Sequence, residues 1–186
     1  MTPLAVEVSQ LLDRLGISHA LIGAGALSAV GASRSTADLD FLVVEGEVLA
    51  ETFWSGRLPP GASVRIRTGG PEAPLAGLIR ISRAGDRPVD LVVGRDAWQR
   101  EILSRAPLLP FLGDRVPIAL ASDLVLLKLY AGGLQDAWDI QQLLASDAKL
   151  ASAVAPQVEA RLGALPRRCR ELWDDLRARR LPDRQI

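Results

Sequence analysis

Asp38-Leu39-Asp40-Phe41-Leu42-Val43 alternates carboxylates with apolar side chains and then turns wholly apolar. A period of two belongs to a β-strand, whose successive side chains point to opposite faces. The segment therefore predicts a strand with Asp38 and Asp40 on one face, a few ångströms apart. A second run, Val89-Asp90-Leu91-Val92-Val93, reads as a core strand with one carboxylate near its start. A charge there needs a partner, because an unpaired buried charge is costly. A chain built on two such strands must gather its acids around a cation or leave them at a solvated edge.

The other segments surround these two. Leu4, Val8, Leu11, Leu12 and Leu15 recur at helical spacing and stop at Gly16. His19-Ala20-Leu21-Ile22 reads as a short buried strand, Gly23-Ala24-Gly25 as a turn, and Ala26 to Val30 as a short helix closed by Gly31. Residues 47–54 are expected to be helical. Val64 to Arg67 and Leu78 to Ile81 are expected to be strands around a glycine- and proline-rich loop. A helix is predicted from Asp96 to Ala106, then a short extended piece with Val116 and Ile118 among Pro107, Pro110 and Pro117. Ser122 reads as the N-cap of a helix from Asp123 to Ala131 that ends at Gly132-Gly133. Further helices are expected at Asp136 to Leu144, Lys149 to Leu162 and Pro166 to Arg179. The layout is an α/β (α+β) core over residues 1–120 and a helical C-terminal region over 121–186 packed on it as one structural unit.

Carboxylates held that close repel, and a hard divalent cation such as magnesium is the simplest neutralising partner, with manganese its nearest substitute. Asp90 on a neighbouring strand would complete the oxygen cage. Magnesium so held bridges substrate phosphates, and a pair of such ions clamps the attacking and leaving oxygens of an in-line displacement. The Gly23-Ala24-Gly25 turn ends one strand and opens a helix, where backbone N–H groups attract phosphate. It precedes the acidic strand closely enough for one ligand to meet both.

The block Ile22-Gly23 through Arg34-x-Thr36-x-Asp38-x-Asp40, followed by Asp90, resembles the nucleotidyltransferase superfamily pattern of a glycine turn, a short helix, acid-x-acid and a later third acid. More narrowly it is similar to minimal nucleotidyltransferases and AbiEii-like toxins of bacteria. The resemblance implies a mixed β-sheet flanked by helices and magnesium-dependent transfer of a nucleoside monophosphate from a nucleoside triphosphate. It implies metal binding and catalysis by Asp38, Asp40 and Asp90, and nucleotide contacts from Gly23, Ala24, Gly25, Arg34, Thr36 and Lys128. The acceptor is left open among tRNA, a protein hydroxyl and a small molecule such as an aminoglycoside, and a cognate partner protein of a toxin–antitoxin pair is implied as a rival reading. Ala24 stands where relatives have glycine or serine, and Gln135 where they have a basic residue before Asp136. Both departures favour a silent nucleotide- or partner-binding module.

The bland readings stand beside these. Arg34 reads equally as a solvated loop residue, Thr36 as a brace of its turn, and Lys128, Asp136 and Asp139 as structural, with Asp136 capping a helix. A dinucleotide-binding reading of Gly23-x-Gly25-x-x-Ser28 fits less well, because two acids begin the next strand and no regular βαβ repeat follows. The single histidine, His19, has no ligand partner in the pattern, and the single cysteine, Cys169, excludes an internal disulfide. The late arginines, Arg161 to Arg180, read as a solvated helix face. With 22 basic and 22 acidic residues the formal net charge is zero, so any nucleic-acid contact must be local. No segment reaches the ~20 apolar residues of a membrane span, and a cytoplasmic location is expected.

Overall fold

Leu4, Val8, Leu11 and Leu12 are all buried on one side of the first helix, α1 (Leu4–Arg14). This is the computed structural model of the chain, and it describes residues 2–29 and 37–178. Helix α1 ends in a Schellman motif: Gly16, at φ +70°, donates to Asp13 O, and Ile17 donates to Leu12 O. Its N-terminus is closed from far along the chain. Asp86 Oδ1 accepts from the Leu4 N–H at 3.1 Å, and Arg83 ties Asp86 to Glu7. The Arg83 hydrogen bond, then that of Leu4, hold the Asp86 carboxyl below the usual carboxylate range.

Two compact units divide the chain, Met1–Leu120 and Ala121–Ile186. The first holds a five-stranded mixed sheet ordered β1 (His19–Ile22), β2 (Leu39–Val43), β5 (Val89–Val93), β4 (Gly77–Ser82), β3 (Ser63–Thr68). Within this sheet the β2–β5 pairing is parallel and the β1–β2, β5–β4 and β4–β3 pairings are antiparallel. Leu39, Phe41, Val43, Val89, Leu91, Val93, Ile79 and Ile81 form the buried side of the three central strands, as alternation requires. Helix α2 (Gly23–Ala29) follows β1 directly, and α4 (Ala97–Arg105) follows β5.

Two expectations are corrected here. Residues 47–54 do not form one helix: a 3-10 turn (Gly46–Leu49) and the short α3 (Glu51–Trp54) are separated by an extended Ala50. The buried Trp54 indole N–H takes the Val48 carbonyl at 2.8 Å, an acceptor that a continuous helix would use for its own ladder. The extended piece near Val116 is a whole hairpin, β6 (Leu108–Phe111) and β7 (Asp114–Pro117). Leu112 and Gly113, both at positive φ, make its two-residue turn, and Pro110 lies within β6, whose one strand partner among the described residues is β7.

The second unit consists, among the described residues, of α5 (Ala121–Ala131), α6 (Leu134–Ser146), α7 (Ala148–Arg161) and α8 (Arg167–Ala178). Asp147 caps α7, accepting from the Lys149 and Leu150 N–H groups. Cys169 is buried on α8, and burial outweighs the nearby Arg168 in pushing its thiol pKa up, so it packs rather than reacts. Among the described residues no helix is long and apolar enough to cross a membrane.

His19 is buried on β1 between α1 and Phe41. Its Nδ1 donates to Ile17 O at 3.1 Å, because a carbonyl can only accept, which leaves Nε2 to accept from Ser9 Oγ at 2.6 Å. Burial lowers its pKa below 6.5, against weaker raising effects of the Ile17 hydrogen bond and Asp13. The folded ring therefore stays neutral at pH values where the unfolded ring takes a proton. Stability is full above the unfolded pKa and falls as pH drops below it toward the folded one. Thermal unfolding at pH 7.5 and 5.5 should show this loss, and His19→Asn, which cannot titrate, should flatten that part of the slope.

Candidate active site on one face of the sheet

Three adjacent strands carry charged residues in one register line. Asp40 of β2 pairs with Asp90 of β5, and Asp90 pairs in turn with Arg80 of β4. Register partners project to the same face, so these three side chains stand side by side opposite the apolar core face. Arg65, paired with Arg80 and exposed on the edge strand β3, extends the line.

Arg80 organises this row. Its Nε donates to Asp90 Oδ1 at 2.8 Å and its Nη2 to Asp90 Oδ2 at 2.5 Å, a bidentate fork. The same Nη2 reaches Asp38 Oδ2 at 2.9 Å. Asp90 is nearly enclosed, its side chain 7% exposed, whereas Asp38 and Arg80 are 37% and 44% exposed. The hydrogen bonds and charge of Asp90, followed by those of Asp38, push the guanidinium pKa further above its ordinary value.

Asp38 lies in the bend just before β2, so strand alternation does not place it beside Asp40. The shared Arg80 nitrogen puts Asp38 and Asp90 together instead. Asp40 is partly buried against α2, where a Cβ on Gly23 would overlap its carboxylate. Among the described residues no three His, Cys, Asp or Glu side chains stand as a ready metal-ligand group. Asp38 and Asp90 converge on a guanidinium.

The glycines have a packing role. Helix α2 begins at Gly23 itself, at φ +65°, and Gly25 lies within it. A Cβ on Gly25 would come within 2.8 Å of Leu39 Cδ2, so both glycines let α2 lie close to β2. Ala24 is buried, and its carbonyl accepts from Ser28 Oγ. Arg34 and Thr36 lie outside the described residues.

Lys128 on α5 is committed to carboxylates of α6. Its Nζ donates to Asp139 Oδ2 at 2.6 Å and to Asp136 Oδ1 at 3.2 Å. Gln135 Nε2 donates to the other Asp139 oxygen, and Asp136 Oδ2 accepts from the Gly133 N–H at the start of α6. These bonds tie α5 to the start of α6.

Sequence reasoning gave Arg80 no role. A lone guanidinium in one apolar strand and a lone carboxylate in the next, each five residues from Gly85, predict a cross-strand pair if the chain folds back there.

No protein-family model and no curated protein matches the chain. Solved structures do resemble it. The solution structure of the antibiotic-resistance factor ANT(2'')-Ia is 15% identical, with 87% of this chain and 92% of that one covered, at a TM-score of 0.52. ANT(2'')-Ia in complex with adenylyl-2''-tobramycin is likewise 15% identical, covering 85% of this chain and 96% of that one, also at 0.52. The likeness establishes the fold alone: a mixed sheet flanked by helices with a helical C-terminal region, shared with ANT(2'')-Ia.

Proposed function

We propose that the chain is a divalent-metal-dependent nucleotidyltransferase acting through the sheet face that carries Asp38, Asp40 and Asp90. The observation that supports this most is the gathering of carboxylates from separate segments on one open side of a nucleotidyltransferase fold. The donor set fits magnesium, with manganese as substitute. All three side chains offer hard oxygens, and two of them already meet at one cationic nitrogen, Arg80 Nη2. Asp38, Asp40 and Asp90 would hold the ion, which when bound supplies charge neutralisation and orientation of the triphosphate.

The acceptor hydroxyl oxygen attacks the α-phosphorus, the bond to the β-phosphate oxygen breaks, and pyrophosphate leaves. Asp90 would orient the hydroxyl and take its proton. The backbone at Gly23, Ala24 and Gly25 would face the phosphates, with Arg34 and Thr36 from the following segment. Lys128 is omitted from these contacts, because two acids hold its ammonium group. Acceptors in scope are RNA, a protein hydroxyl and a small molecule. The adenylylated tobramycin bound to ANT(2'')-Ia makes an aminoglycoside the first small molecule to try.

A silent nucleotide- or partner-binding module, with a cognate protein as in toxin–antitoxin pairs, is the second reading. The occupation of Asp38 and Asp90 by Arg80 favours it. One experiment separates the two. Incubation with labelled nucleoside triphosphates, magnesium, total cellular RNA and protein, and an aminoglycoside panel should label an acceptor and release pyrophosphate. Asp38→Asn and Asp40→Asn should remove both signals. Nucleotide binding with no release under any condition would leave the module.

A further inference from the structure

We infer that Arg80 is a built-in competitor of the metal: its guanidinium holds Asp38 and Asp90, and ion binding at these carboxylates requires it to let go. This rests on the metal site of the proposed reading, though not on transfer itself. Both oxygens of Asp90 are engaged by Arg80, and Asp38 Oδ2 shares the same Nη2. A divalent ion that took Asp90 and Asp38 would have to replace at least one of these bonds, and would sit beside a like charge if the fork stayed in place.

The fork also serves the fold. Asp90 is enclosed in a strand of apolar residues, where an unpaired carboxylate is costly, and the register of β4 against β5 delivers the compensating charge. Arg80 is itself almost half exposed. The long side chain therefore has solvent to swing into without unpacking the core. Once displaced it remains over the face where phosphate oxygens would arrive, and these are good partners for a planar guanidinium. Metal and nucleotide binding are thereby linked, since each relieves a cost imposed on the other.

The test is a titration of manganese into the full chain, followed by the electron paramagnetic resonance of the free ion. The parent, Arg80→Gln, and Arg80→Gln combined with Asp90→Asn are compared without nucleotide. Arg80→Gln is expected to bind manganese at least about tenfold tighter than the parent, and the added Asp90→Asn to cancel the gain. In chelator the same variant should melt below the parent, with added manganese restoring the loss. Should Arg80→Gln not fold, Arg80→Lys decides the matter. It keeps the charge without the fork and should bind manganese more tightly than the parent. Affinity equal to or weaker than the parent's in the folded variant overturns the proposal. A tighter, Asp90-dependent site without transfer on any acceptor would keep the competition and refute the transferase. Transfer without the gain would do the reverse.

Discussion

Asp139→Ala is expected to destabilise the helical unit by about 3–5 kcal/mol, the usual cost of removing one partner from a buried ion pair. Lys128 and Asp139 are both largely enclosed, with side-chain exposures of 12% and 1%. Loss of the carboxylate leaves the enclosed ammonium group with Asp136 alone, whereas the exposed Gln135 amide can turn to water. For a chain of this length the change corresponds to a drop of roughly 10 °C in melting temperature. Asp136→Ala should cost only about 1 kcal/mol, because its carboxylate is more exposed and acts mainly as a helix cap. The double replacement Lys128→Met with Asp139→Leu should recover most of the loss, since packed apolar residues often match a buried ion pair. Urea and thermal unfolding of the four proteins measure these changes. If Asp139→Ala melts with the parent while nucleotide affinity collapses, Lys128 is a ligand contact and the structural reading fails.

How far the sequence disclosed this arrangement depends on the range of each interaction. Strands β2 and β5 are legible from local alternation, and Asp40 and Asp90 are visible in them as misplaced charges. Their adjacency is not, because parallel pairing joins segments about fifty residues apart, and no local pattern encodes register over that span. The Arg80–Asp90 pair is nearer to legible, since both residues are equally far from Gly85, but a reading centred on carboxylates does not ask for an arginine. Asp38 follows the alternation of β2 in sequence and yet sits in the bend before it, where tertiary context overrides the pattern. Trp54 shows the same override, its indole taking the carbonyl of the preceding turn. The hairpin β6–β7 escapes because prolines normally mark breaks, whereas an edge strand tolerates one. Glycine is the most ambiguous symbol of all. Gly23 and Gly25 fit a phosphate turn by spacing, while their close approach to Asp40 and Leu39 emerges only when α2 is laid against β2.

That approach leads to the second large effect. Gly23→Ala is expected to cost about 2–4 kcal/mol, combining left-handed backbone strain with overpacking against Asp40. It should also displace the carboxylate and with it any transfer activity. The two causes separate experimentally. Gly23→Asn keeps a residue that tolerates the left-handed region but still carries a Cβ, so it should be milder only to the extent that strain dominates. Asp40→Ala removes the overlapping oxygen and leaves the backbone strain. In a double-mutant cycle, Gly23→Ala with Asp40→Ala should therefore cost less than the sum of the single changes, by about 1–2 kcal/mol of coupling. Gly25→Ala is the control. Its φ is not positive and its Cβ would press on the flexible end of Leu39, so overpacking less a helix-propensity gain should leave a net loss of about 1 kcal/mol. Additive energies at Gly23 and Asp40 would show that the helix start and the acid are independent. The glycine would then serve the backbone alone, and Asp40 would owe its placement to strand register rather than to the turn in front of it.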